Sequence, residues 1–139
     1  MFRGFLFSVI ISVLYLTFPV FATLPAPTGV SASDGDYSDK IKITWNAVSG
    51  NVHGYDIYRS LDRSDSSPGR IGYQKAGTTF YDTDTSDLRV GSTYYYWVTA
   101  TEDSSGYPQS PYSSPDSGYI SDGGGGGGSD DPPTADAGG

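Results

Sequence analysis

Residues 40–47, KIKITWNA, alternate strictly: Ile41, Ile43 and Trp45 point one way, Lys40, Lys42 and Thr44 the other. A period of two is the mark of a strand with one buried face. GYDIYRS at 54–60 repeats the pattern, setting Tyr55 and Ile57 against Asp56 and Tyr58. RIGYQKAG from Arg70 and TTFYDTD from Thr78 are shorter and weaker runs, and TYYYWVTAT from Thr93 is the longest. SPYSSPDSGYIS, 110–121, is broken by two prolines, which suits an irregular last strand at a sheet edge. Gly, Asp, Ser and Pro separate the runs at sandwich-like intervals, and no segment carries a helical period. The pattern predicts an all-β domain.

Two stretches lie outside that pattern. MFRGFLFSVIISVLYLTFPVFA places Arg3 before an apolar run, Phe5 to Phe18, followed by Pro19 and a Val20-x-Ala22 ending. This is the layout of a secretory signal peptide, 1–22, cleaved after Ala22. The rival reading is a retained anchor, but the run is short of the ~20 residues a bilayer span needs. At the other end DGGGGGGSDD makes 122–131 a flexible linker by composition.

Loss of the leader leaves seven basic against sixteen acidic residues, a net charge of −9. Scattered cations on an acidic chain argue against nucleic acid as a partner, and against a membrane after cleavage. The chain has no cysteine, so the expected exported domain rests on its core without disulfides.

From Pro25 to about Ser121 the chain resembles a fibronectin type III domain. The lead-in APTGVSAS, Trp45, GYDIYRS and LRVGSTYYYWVTA fall in that family's order, and Leu88-x-x-Gly91-x-x-Tyr94 resembles its leucine–glycine–tyrosine signature. Val90 stands where the family usually has proline before the glycine. The resemblance implies a seven-stranded, immunoglobulin-like sandwich of two sheets over 23–121. PPTADAGG, 132–139, resembles the opening of a PKD domain.

Within the resemblance Tyr94 is the corner tyrosine, its hydroxyl bonded to upstream backbone and its ring inward. Alternation then sends Tyr96, Val98 and Ala100 to the core with Trp45, Tyr55, Ile57 and Leu88, and turns Tyr95, Trp97 and Thr99 outward. The strands carrying Tyr58 and Trp97 are neighbours in that fold. Tyr58, Tyr95 and Trp97 are therefore expected to share an exposed aromatic face, the candidate for docking a glycan or a protein.

Catalytic chemistry finds little footing. His53 is the single histidine and is expected to be a solvated loop residue; Glu102 is the single glutamate. Asp82, Asp84 and Asp87 in DTDTSD invite a calcium reading, but the EF-hand's sixth-position glycine and twelfth-position glutamate are replaced by Asp87 and Thr93. No metal, cofactor or catalytic residue is expected. The six glycines lack the Lys-Ser/Thr ending of a phosphate loop. No Arg-Gly-Asp triplet or Asn-x-Ser/Thr sequon is present. The expectation is a secreted, non-catalytic spacer or interaction module beside neighbouring domains of a longer chain. The alternatives are a glycan- or protein-binding module, and an accessory part of a secreted polysaccharide-degrading or proteolytic enzyme.

Overall fold

The computed structural model describes residues 24–106 and 109–124. The expected leader, the linker beyond Gly124 and the PKD-like stretch lie outside the described residues. Seven strands form two antiparallel sheets: β1 (Ser31–Ala32), β2 (Ile41–Thr44), β3 (Gly54–Ser60), β4 (Gly69–Gln74), β5 (Thr79–Asp82), β6 (Tyr94–Thr101) and β7 (Asp116–Gly118). One sheet runs β1-β2-β5, the other β4-β3-β6-β7. The long central strands β3 and β6 pair over seven positions, from Gly54 opposite Thr101 to Ser60 opposite Tyr95.

The period of two becomes the inner face of each sheet. Ile41, Ile43 and Trp45 from one sheet meet Tyr55, Ile57, Tyr96, Val98 and Ala100 from the other, with Leu88 and Tyr94 at one end and Leu24 at the opposite end. Trp45 and Tyr55 pack edge to face at 5.2 Å. Removing such rings from water is the main stabilising term of a chain without disulfides. Phe80 packs on this core from β5, and Gly72 lets β4 pass beneath it: a Cβ there would overlap the Phe80 ring.

The corner ahead of β6 is built as the signature implies. Tyr94 Oη donates to the Asp87 carbonyl at 2.7 Å and accepts from the Arg89 amide at 2.9 Å. Gly91 takes the left-handed φ of +80° that this turn requires, where a Cβ would be strained. Beside it, Arg59 reaches Asp82 at 2.8 Å and Asp87 at 2.9 Å, and the buried Tyr96 hydroxyl donates to Asp82 at 2.9 Å.

The last segment differs from a regular strand. Only Asp116–Gly118 pairs as β7; before it, two serines stand in for backbone. Ser113 donates its amide to Val98 O at 3.0 Å and accepts the Val98 amide on its hydroxyl at 3.0 Å. Ser110 does the same for Ala100, at 2.8 and 2.9 Å. Pro111 and Pro115 interrupt a regular ladder here because they have no N–H to donate, and the hydroxyls satisfy the β6 amides that would be left over.

Candidate functional site

The outer face of the four-stranded sheet carries the groups that alternation sends outward. Tyr58 and Trp97 lie directly opposite each other in the β3–β6 ladder, and Tyr95 faces Ser60 one step along that face. Their exposure corrects the expectation. Tyr58 is only 7% exposed and Trp97 5%, while Tyr95 is half-buried. They do not form an open aromatic stripe. Tyr112 covers Tyr58 edge on, with ring centroids 4.9 Å apart, and Gln109 Nε2 donates to the Tyr58 hydroxyl at 2.9 Å. Tyr112 belongs to the proline-broken segment and Gln109 immediately precedes it, so this stretch folds over the face rather than continuing as a flat edge.

What lies open on this face is a cleft of about 540 Å³, bordered by Asp56, Tyr58, Arg70, Tyr73, Gln109 and Tyr112. Its floor is a buried carboxylate. Asp56, 2% exposed, accepts from Arg70 Nε at 2.7 Å and lies 2.6 Å from Nη2, both through Oδ1; its Oδ2 accepts from Gln109 Nε2 at 2.7 Å. A carboxylate taken out of water needs such partners, and this one has a charge-assisted pair and an amide. Thr99, opposite Asp56 in the ladder, is buried, and its hydroxyl has no partner among the described residues. On the rim, burial and then the neighbouring Tyr58 and Asp65 push the Tyr112 hydroxyl pKa up.

Tyr73 forms one wall and ties in His53. His53 is half-buried, not simply solvated: its Nδ1 lies 2.7 Å from Tyr73 Oη, which also donates to the His53 carbonyl at 3.3 Å. Sequence reading missed Asp56, Arg70, Tyr73, Gln109 and Tyr112 as a group. The available signal was an acid with period-two polar placement in a strand whose neighbour carries an arginine.

The aspartates of DTDTSD do structural work. Asp82 and Asp87 are the two carboxylates on Arg59, and Asp84 caps its own turn, accepting from the Ser86 amide and hydroxyl. Those Ser86 bonds hold the Asp84 carboxyl below its ordinary range. Among the described residues no group of three or more His, Cys, Asp or Glu side chains is placed to hold a metal ion.

Two antiparallel sheets of three and four strands, closed over one core and locked by a tyrosine corner, define an immunoglobulin-like β-sandwich. The model of the fibronectin type III domain family matches residues 25–116, and the chain belongs to that family. Among solved structures, an Fn3-like protein from Clostridium thermocellum is 25% identical with a TM-score of 0.59, covering 71% of this chain and 95% of that one. The fn3 domain of human collagen alpha-1(XX) chain is 15% identical with a TM-score of 0.55, covering 72% and 88%. Pectate lyase PelI from Erwinia chrysanthemi, solved with tetragalacturonic acid, is 24% identical with a TM-score of 0.51; the likeness covers 69% of this chain but 28% of the lyase. Comparison with curated proteins gives no match.

Proposed function

We propose that this chain is an extracellular, non-catalytic fibronectin type III module that holds neighbouring parts of a longer protein apart. The observation that carries the reading is where the chain enters and leaves the sandwich. Leu24 packs at Gly50, in the turn that follows β2, whereas Gly123 lies against Ser38, in the turn that precedes it. These turns flank opposite ends of one strand, so entry and exit occupy opposite poles. The eight residues of β6 give the body a length of about 26 Å, at ~3.3 Å per residue. Beyond it, six glycines would add a hinge of about 13 Å root-mean-square reach.

Candidate chemical groups on the body are committed to holding it together: Asp56 to Arg70 and Gln109, Asp82 to Arg59 and Tyr96, His53 to Tyr73. This supports a structural role for them in place of catalysis. The reading of 1–22 as a leader and of 132–139 as the start of a PKD-like domain belongs to the same proposal.

The test joins a folded fluorescent reporter to each end and follows energy transfer between them. A separation that stays constant until the domain unfolds cooperatively supports the spacer. Reporters that come into contact while the domain is folded would refute it. N-terminal sequencing of exported protein should start at Thr23; a membrane-retained chain that keeps Arg3 would overturn the extracellular part.

A further inference from the structure

We propose that the cleft beside Asp56 is a binding site for a neutral saccharide, an inference independent of the spacer reading. Its volume, about 540 Å³, falls in the ~300–1,000 Å³ range of small-ligand sites. The floor is set before any ligand arrives, because Arg70 and Gln109 are both fixed on the buried Asp56 carboxylate. Such preorganisation reduces the entropy lost on binding.

The groups left over define the ligand. Gln109 directs its amide nitrogen at Asp56 and at the Tyr58 hydroxyl. Among the described residues, neither the Gln109 carbonyl oxygen nor the Tyr58 hydroxyl proton has a protein partner. The Arg70 side chain, 53% exposed, presents its remaining donor edge beside them. Donors and acceptors are thus set close together, and adjacent sugar hydroxyls match them because each both donates and accepts. Tyr112, 41% exposed, and Tyr73 add ring surface for the C–H face of a pyranose.

Charge selects among sugars. Among the described residues Arg70 is the one cation bordering the cleft, and Asp56 neutralises it. A uronic acid would find no unpaired cation there, and would approach a chain of net charge −8. A metal ion would have to displace Arg70 and Gln109 from the same carboxylate.

The test titrates the ¹⁵N-labelled full chain with cellohexaose, mannohexaose and hexagalacturonate while amide shifts are followed. At least one neutral hexaose should move the Gln109 side-chain amide and the backbone amides of Tyr112 and of Gly106, which also lines the cleft, saturably, with Kd in the millimolar range or below. Tyr112→Ala should weaken that binding about tenfold or more, while Tyr81→Ala on the opposite sheet leaves it unchanged. The wild-type shift map decides the matter even where a variant folds poorly. No saturable shift at the cleft with either neutral hexaose at about 10 mM would overturn the site. So would shifts confined to other surfaces, and binding of hexagalacturonate alone would overturn the ligand class.

Discussion

Tyrosine hydroxyls do different work at different depths in this domain. Tyr94 Oη bridges the Asp87 carbonyl and the Arg89 amide, so Tyr94→Phe leaves two backbone groups short of a partner. The loss should be about 1–2 kcal/mol, since the site is partly buried and water replaces some of it. Urea denaturation measures this, and an unchanged midpoint would show that the hydroxyl contributes nothing. Tyr96 is deeper, with no exposure, and burial followed by the Asp82 charge pushes its pKa well above the ordinary tyrosine value of 10. The unfolded chain therefore releases this proton above pH ~10 while the folded one keeps it. Fewer protons bound in the unfolded state make stability fall as pH rises, by about 1.4 kcal/mol per pH unit for this group. The contribution is whole below pH 10 and is lost progressively above it. The measurement is the difference in slope between wild type and Tyr96→Phe from pH 9 to 11.5. Equal slopes would show that Tyr96 is not the group responsible.

Among the elements, the proline-broken segment decides what the sheet face becomes. Ser110 and Ser113 each give β6 one donor and one acceptor, so the segment stays attached without a regular ladder. Ser113→Ala removes the acceptor of the buried Val98 amide, at a cost of about 1–3 kcal/mol. Hydrogen exchange at Val98 should accelerate more than at Ile57, which lies opposite it in the ladder; uniform acceleration would mean that global stability alone had changed. This element also marks where sequence reading stops. Alternation assigned the side of each β6 and β3 residue because sides follow from a local period of two. Whether a side is covered depends on contacts such as Gln109 to Tyr58, 51 residues apart, which no local pattern encodes. Asp56 looked like an ordinary outward polar residue for the same reason. The core from Trp45 to Val98 and the Tyr94 corner were legible because an alternating run and a short signature specify them. The cleft was not, because it is assembled by a segment whose composition spoke only of irregularity.

At the scale of the whole molecule, the two sheets meet along a seam between the first and last strands. The Ala32 amide donates to Asp116 Oδ2 at 2.9 Å, Gly35 N–H to Tyr119 O at 2.9 Å, and Ser121 N–H to Tyr37 O at 2.8 Å. The exit segment is thereby fastened to the entry strand down to the pole where the chain leaves. A domain held this way should keep its poles at one separation, which a spacer requires. The chain has no native cysteine, so Ser38→Cys and Asn51→Cys place spin labels at the two poles with no competing thiol. Both positions are exposed, in the turns before and after β2. Double electron–electron resonance should give one narrow distance near 30 Å, roughly the strand length plus a turn at either end. The peak should persist in mild urea and vanish only with the tryptophan signal of unfolding, since a small sandwich melts as one unit. A broad or two-peaked distribution in buffer would show that the poles move against each other, and the rigid-spacer reading would fail.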